Sequence, residues 1–285
     1  MSCVVSESQA TLVEGHGMTE AETHKNGSPR TLDSYHTAEE IAPNTWRIDE
    51  NHFSNCYLLE GSERALLIDA ACGVGDLRTC VEELTDKPVI AVATHRHPDH
   101  VGAMWRFGSY AVNPADNALV YSFLCLPAFT RLLVNKSGGD ASAIARPGRV
   151  SVLPLRDGQT FSLGDRTVLA LSTPGHTAGS MSFVDEKERL IVTGDEVNPD
   201  LWMHLPGCTS LTVWQSGADL ILGYLERGFA GWYGHGDGRQ SLDQARETRR
   251  LVSEIIEKCE RHELGRGRGC YPAEGGSLVI RYRRV

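Results

Sequence analysis

The chain has 285 residues, of which 41% are hydrophobic and 23% are charged, and its formal net charge is −9. This length and composition are ordinary for a globular protein with one large domain or two small ones. The negative charge argues against nucleic acid as the main partner, and no apolar run approaches the roughly 20 residues that a membrane span needs.

Residues 1 to about 40 are polar and show no periodicity, which predicts a flexible or surface-wrapping extension before a domain over residues 41–285. No spacing pattern joins His16, His24 and His36, so we expect them to be solvated. The N-terminus lacks the basic and apolar regions of a secretory signal, and the eight cysteines are scattered without a C-x-x-C pair. We therefore expect a cytoplasmic protein with reduced thiols.

The first part of the domain reads as short strands, then a helix, then a buried strand. Turn-forming residues separate the strands, and the helix has apolar positions at helical spacing. The predicted strands are residues 46–48, 56–60 and 65–69, the helix is 76–84, and the buried strand is 89–93.

Four potential metal ligands follow this buried strand within six residues. Pro98 cannot continue the strand ladder and suits the first turn of a helix. Three imidazoles and a carboxylate held this closely are costly to bury without a partner, and a divalent metal is the natural one. The four residues are His95, His97, Asp99 and His100.

The rest of the chain is again rich in short strands, with two longer helices near its end. Residues 126–149 are either a segment that lies near the site or a surface insertion. Residues 198–210 are expected to be a loop over the site. A Ser241–Gln244 capping box opens the last helix. The predicted helices are 114–125, 211–227 and 241–262, and the predicted strands are 110–112, 150–155, 159–163, 167–172, 180–184, 189–193, 229–233 and 278–282.

Three further ligand candidates, His176, Asp195 and His235, each follow a predicted strand, and each has a glycine beside it. Glycine lets the backbone turn sharply next to a crowded site. A single histidine in such a place is usually a surface or core residue. Repetition at successive strand ends favours one shared metal site.

These motifs resemble those of the metallo-β-lactamase superfamily. Thr94–His100 matches its H-x-H-x-D-H signature, and the segments at Pro174–Ser180, Gly194–Asp195 and Gly234–Gly236 are similar to its later metal motifs, in the same order. The stretch that ends at Asp69 resembles its first motif. The resemblance implies an α/β fold, a four-layer αββα sandwich, with a dinuclear zinc site at one edge.

By this resemblance, one Zn²⁺ is held by His95, His97 and His176, and a second by Asp99, His100 and His235, with Asp195 between them. A hydroxide shared by the two metals would attack a carbonyl carbon. Asp99 would be the catalytic residue that orients this hydroxide.

Several residues near the predicted ligands each have two possible roles. Asp69 either receives an N–H from a ligand histidine or satisfies loop amides, and Thr177 either supports the site or caps a turn. His52 is a candidate pocket wall, and Trp202 and His204 either face the substrate or plug the core. Of these, His204 is a weak candidate for an additional ligand, and Arg96 is expected to be a structural ion-pair residue.

The sequence therefore predicts a zinc-dependent hydrolase of a small ester-like substrate: a lactone, ester, thioester or β-lactam. One alternative is an oxidoreductase similar to persulfide dioxygenases, with one Fe²⁺ in place of two Zn²⁺. A phosphodiesterase or nuclease is a further alternative that the acidic charge disfavours. A small-molecule substrate and a homodimer are compatible with the sequence.

Overall fold

The computed structural model describes residues 28–118, 128, 131–132, 134–135, 140–144, 147–264, 267–272 and 278–284. Within them, no helix combines the length and the apolar character needed to cross a membrane.

The first sheet has eight strands that neighbour one another in chain order. Strands β1 to β5 pair antiparallel, and β5 to β8 pair parallel. The strands are β1 Arg30–Thr31, β2 His36–Ala42, β3 Thr45–Glu50, β4 Ser54–Glu60, β5 Ala65–Ile68, β6 Val89–Val92, β7 Ser109–Val112 and β8 Ser151–Pro154.

The second sheet has six strands in the order β15-β14-β12-β11-β10-β9. All pairs are antiparallel except β12 with β14, which run parallel. These strands are β9 Thr160–Ser162, β10 Thr167–Ser172, β11 Met181–Asp185, β12 Leu190–Val192, β14 Ala230–Trp232 and β15 Arg239–Gln240.

A third sheet of three strands joins distant parts of the chain. Strand β13 (Asp200–Met203) runs parallel to β17 (Val279–Arg284), which also pairs with β16 (Gly267–Pro272). This sheet forms beside the segment that follows Asp195 and so shapes one side of the site.

Alternating side chains divide the core into layers, because successive residues of a strand point to opposite faces. Leu59 and Leu66 pack against Phe183 between the two large sheets. On the outer face of the first sheet, Leu58 and Leu67 pack with residues of α1 (Leu77–Glu82).

The outer face of the second sheet carries Val184 and Ile191, which pack with Trp214 and Ile255 of the two long helices. The protein is thus a four-layer αββα sandwich, as the sequence predicted. The helices on this face are α3 (Leu211–Glu226) and α4 (Leu242–Glu260), and the short α2 is Pro98–Val101.

Most predicted elements agree with the structure to within a few residues, and the predicted cap is present, since Ser241 Oγ accepts the Gln244 N–H at 3.1 Å. The predicted helix at 114–125 is described only as a 3₁₀ turn, Pro114–Ala118. Residues 119–127, and most of the 126–139 part of the 126–149 segment, lie outside the described residues. The remainder of that segment includes a 3₁₀ turn at Ala141–Ala143.

Part of the segment predicted as a flexible or surface-wrapping extension joins the first sheet. Residues 28–40 include β1 and most of β2, and β2 pairs with β3 along its length. His36, predicted to be solvated, is completely buried. His16 and His24 lie outside the described residues.

Candidate metal centre

The predicted ligands come together because the strands that precede them end at the same edge of the sandwich. Strand β6 runs parallel to β5, and β12 runs parallel to β14. Strand β10 has the same direction as β12, because each is antiparallel to β11. The loops after these five strands carry Asp69, the His95–His100 motif, His176, Asp195 and His235.

Three histidine side chains form one compact group. His97 Nδ1 lies 3.0 Å from His95 Nε2 and 2.9 Å from His176 Nε2. All three residues are at least 90% buried. Three ring nitrogens that meet at one point cannot all be satisfied by hydrogen bonds to one another, because a neutral imidazole has only one N–H. A cation bound to all three nitrogens suits this arrangement.

The second group lies beside the first and contains the carboxylates. His235 Nε2 is 3.0 Å from Asp195 Oδ2 and 3.7 Å from Asp99 Oδ2. His100 Nε2 is 3.5 Å from Asp195 Oδ1. Asp195 Oδ2 also lies 3.7 Å from His176 Nε2, so this aspartate stands between the two groups.

Two buried atoms in this cluster lack a hydrogen-bond partner among the described residues, namely His100 Nε2 and Asp195 Oδ1. A buried polar atom without a partner carries a desolvation cost of about 1–3 kcal/mol. A divalent cation would satisfy both atoms. The donor set, imidazole nitrogens with carboxylate oxygens, fits zinc or iron.

Hydrogen bonds behind the ligands fix the ring orientation of four histidines. His95 Nδ1 lies 3.0 Å from Thr94 Oγ1, and His100 Nδ1 lies 2.8 Å from Asp69 Oδ2. His176 Nδ1 is 2.9 Å from the Trp202 carbonyl, and His235 Nδ1 is 2.6 Å from the Phe53 carbonyl. Donation from Nδ1 leaves Nε2 of each ring as the metal-binding atom.

Burial and neighbouring imidazoles keep the first group neutral. Burial and His100 lower the pKa of His97 to about 4, and burial and His97 lower the pKa of His176 to about 3. The same causes hold the pKa of His95 well below its ordinary value. Neutral imidazoles are the form that binds metal.

The second group instead stabilises positive charge. Burial opposes a charge on His235, yet Asp195 and Asp99 raise its pKa to about 9. Burial likewise opposes a charge on His100, whose pKa is raised well above the ordinary value by Asp195 and Asp69. If a metal ion bound here, its charge would replace the positive charge that protons give to these two imidazoles.

Asp69 organises the start of the metal motif. Its carboxylate accepts hydrogen bonds from the Thr94 N–H at 2.7 Å, the Thr94 hydroxyl at 2.8 Å and His100 Nδ1 at 2.8 Å. The residue adopts a φ of 65°, which is rare outside glycine and marks a constrained backbone. Both readings from the sequence are therefore present, because Asp69 holds a loop amide and also orients a histidine.

A cavity of about 330 Å³ opens above the cluster. Its floor consists of ligand candidates, and its walls are largely apolar. The floor is closely packed, since a Cβ on Gly234 would lie 2.5 Å from His100 Cε1. The other described wall residues include His52, Phe53, Asn198, Pro199, Asp200, Trp202, Leu205, Tyr233 and Gly236.

The remaining predicted residues fall into different places. His52 lines the cavity with a side chain that is 90% exposed, and Trp202 lines it from β13. The described lining does not include His204, whose ring centroid lies 5.5 Å from that of Trp202. Arg96 points away from the ligands and donates to Asn117 Oδ1 at 2.8 Å.

Two buried carboxylates that the sequence reading missed support the ligand loops. Asp116 accepts hydrogen bonds from the Arg96 N–H at 3.0 Å, the Thr177 hydroxyl at 2.9 Å and the Gly179 N–H at 2.7 Å. Thr177 thus acts through Asp116. Glu196 accepts the His176 N–H at 3.0 Å. The adjacent Asp195 was the available signal for Glu196, and nothing in the sequence marks Asp116.

Comparison with known proteins gives one family match, to the metallo-beta-lactamase superfamily over residues 50–253, well over half of the chain. Acyl-coenzyme A thioesterase MBLAC2 of Gallus gallus is 31% identical over 163 residues, which cover 50% of this chain and 57% of that protein. The chain therefore matches a little over half the length of this relative.

Solved structures share the fold. TTHA1623 in a di-iron-bound form has a TM-score of 0.50 and 25% identity, covering 68% of this chain and 93% of that one. TTHA1429 from Thermus thermophilus has a TM-score of 0.53 and 21% identity, covering 86% of this chain and all of that one.

Proposed function

The chain belongs to the metallo-β-lactamase superfamily, and from this premise we propose that it is a metal-dependent hydrolase of acyl thioesters. The observation that carries the proposal is the convergence of histidine and aspartate side chains on the floor of one cavity. The similarity to a protein named acyl-coenzyme A thioesterase supports the choice of thioester among ester-like substrates.

The residues that would hold metal are the two groups described above. Bound divalent cations would supply Lewis-acid chemistry, since they make water nucleophilic near neutral pH and polarise a carbonyl group. We propose zinc for the nitrogen-rich group, with iron as the alternative. His95, His97 and His176 form the first set, Asp99, His100 and His235 the second, and Asp195 lies between them.

Asp99 is the residue that we assign to the attacking water. It lines the cavity, and its Oδ2 lies 3.7 Å from His235 Nε2. A carboxylate in this position can accept a hydrogen bond from water, aim its oxygen at a carbonyl carbon and take up the proton that it releases.

Apart from the candidate metal ligands, the polar side chains of the cavity are poor proton donors. This favours a leaving group that needs no acid, such as a thiol. Burial and the nearby Asp237 raise the pKa of Tyr233 to about 12, so this phenol retains its proton. Asp200 forms an ion pair with Arg281 at 2.8 Å, and His52 is mostly exposed. A thiol, with a pKa of about 8.5, leaves as thiolate without a dedicated acid, whereas an amide nitrogen needs a proton.

The apolar walls provide a place for the acyl group. Phe53, Trp202 and Leu205 line the cavity next to the ligands. Burial of each methylene of an acyl chain against such walls contributes about 0.8 kcal/mol. Binding should therefore strengthen with chain length until the cavity is filled.

The test is a comparison of kcat/KM for acyl-coenzyme A thioesters of increasing chain length with a lactone, a β-lactam and a phosphodiester. We expect kcat/KM for thioesters to exceed that for every other class at least tenfold, which corresponds to about 1.4 kcal/mol of transition-state stabilisation. Trp202→Ala should lower kcat/KM for long acyl chains and spare short ones. The matched control, Trp105→Ala, removes a tryptophan outside the described lining and should change neither.

Metal content separates the proposed activity from its alternatives. About two zinc ions bound by the residues of the cavity, with thioester hydrolysis, would support the proposal. One iron ion per chain with oxygen-dependent persulfide oxidation, or a preference for the phosphodiester, would contradict it.

A further inference from the structure

A separate cluster of metal-binding side chains lies where the turn before β2 meets α1. His36 Nδ1 is 3.0 Å from both carboxylate oxygens of Asp33. Cys80 Sγ is 3.5 Å from Asp33 Oδ2 and 3.6 Å from His36 Nδ1. A carboxylate, an imidazole and a thiol from three different elements therefore converge on one point.

The protein holds these three side chains in place. Asp33 Oδ1 accepts the backbone N–H groups of Tyr35 and His36, both at 2.7 Å. His36 is completely buried and Cys80 is 2% exposed, whereas the Asp33 side chain is 31% exposed. The cluster is thus rigid on its inner side and open to solvent through Asp33.

A second carboxylate stands behind the imidazole. His36 Nε2 has no hydrogen-bond partner among the described residues, and it lies 3.7 Å from Glu50 Oε1. Glu50 is itself fixed, because it accepts backbone N–H groups of residues 72–74 at 2.8–3.0 Å. A carboxylate behind the far nitrogen of a ligand histidine is typical of metal sites.

We propose that Asp33, His36 and Cys80 form an additional metal site that binds Zn²⁺, distinct from the centre in the cavity. Tetrahedral zinc has bonds of about 2.0–2.1 Å to nitrogen or oxygen and about 2.3 Å to sulfur, which place ligand atoms about 3.3–3.6 Å apart. The observed separations of 3.0, 3.5 and 3.6 Å are close to these values. Water entering past Asp33 would fill the fourth position.

The charges around the cluster agree with this assignment. Burial opposes a charge on His36, yet Cys80 and Glu50 raise its pKa to about 10, so without metal the imidazole holds a proton and Asp33 lies beside it. Zn²⁺ binding displaces the proton on His36 Nδ1 and the thiol proton of Cys80, and both are released to solvent. The product is a neutral imidazole, a thiolate and a carboxylate around one dication.

Cobalt(II) spectroscopy tests the site in the full-length protein without reference to activity. The protein is stripped of metal by a chelator and titrated with Co²⁺, because thiolate bound to Co²⁺ gives a near-ultraviolet charge-transfer band. The two ligand groups of the cavity, as the described residues form them, contain no cysteine. We expect a band whose final intensity corresponds to one thiolate-bound Co²⁺ per chain, which disappears on addition of Zn²⁺ and is absent in Cys80→Ser.

Cys72→Ser is the matched control, because Cys72 is equally buried, and its thiol lies 3.8 Å from Ser54 Oγ and is not one of the three ligand atoms of the cluster. This variant should keep the band. Asp33→Asn provides a second test that leaves every thiol in place, and it should weaken Co²⁺ binding, read from the band, by at least tenfold. No band in the wild-type protein, a band that survives in Cys80→Ser, or one unaffected by Asp33→Asn would overturn the proposal.

Discussion

Asp116 connects the two loops that carry the first group of ligands, and its replacement by asparagine gives a direct measure of that connection. The carboxylate accepts two N–H groups and one hydroxyl. An asparagine keeps a single oxygen, so its NH₂ group must face either the Arg96 N–H or the Gly179 N–H. The Thr177 hydroxyl can rotate, but a backbone N–H cannot.

The expected cost follows from this mismatch. A buried N–H that loses its acceptor costs about 1–3 kcal/mol, and hydrogen bonds to a charged acceptor are about 1.5–3 kcal/mol each. We expect Asp116→Asn to lower the free energy of unfolding by about 2–4 kcal/mol. Because the carboxylate holds both ligand loops, metal affinity should fall about 10–100-fold.

Urea denaturation and metal competition with a chromogenic chelator measure the two effects. The matched control is Asp157→Asn, since the Asp157 carboxylate accepts the Ser172 N–H at 2.8 Å in an exposed setting. Its effect should stay within about 0.5 kcal/mol. Equal unfolding free energies and metal affinities for the two variants would refute the structural role that we assign to Asp116.

Three further outcomes are expected. Gly175→Ala should lower the free energy of unfolding in urea by about 1–3 kcal/mol, because the new Cβ would lie 1.7 Å from a buried carboxylate oxygen. The control Gly223→Ala has no described atom within 4 Å of its new Cβ and should not destabilise the protein. Equal effects of the two variants would contradict the packing described for Gly175. Asp99→Asn should lower kcat about 10²–10⁴-fold while circular dichroism and the melting temperature stay close to wild type, and full turnover would exclude Asp99 from proton transfer. Arg166→Met should lower the free energy of unfolding by about 3–5 kcal/mol, because Asp185, its partner at 2.5 Å, would become a buried unpaired charge. An unchanged free energy of unfolding would show that water reaches this pair.

The convergence of the candidate metal ligands could be predicted because their signals are local. His95, His97, Asp99 and His100 fall in one stretch after a recognisable strand, and the other candidates follow strands with glycine beside them. Parallel strand direction then brings them to one edge. The sequence thus predicted which residues meet, although the identity of the metal depends on energies that spacing does not encode.

Other features depend on contacts between distant segments, which periodicity does not reveal. Strand β13 pairs with β17 far along the chain, so a segment that reads as a loop becomes a strand. Asp116 acquires its role only once two ligand loops meet around it. His36 looks like one polar residue among many, and only the pairing of β2 with β3 buries it.

The long-range pairing of β13 with β17 also sets an order of events during protein synthesis. All residues of the cavity floor are translated before Val279–Arg284, yet β13 carries Trp202, whose carbonyl accepts a hydrogen bond from His176. The nascent chain therefore passes through a stage in which all the candidate ligands have been made but β13 still lacks its partner strand. If the chain binds metal as proposed, metal bound at that stage would exchange more freely than metal bound after β17 has paired with β13.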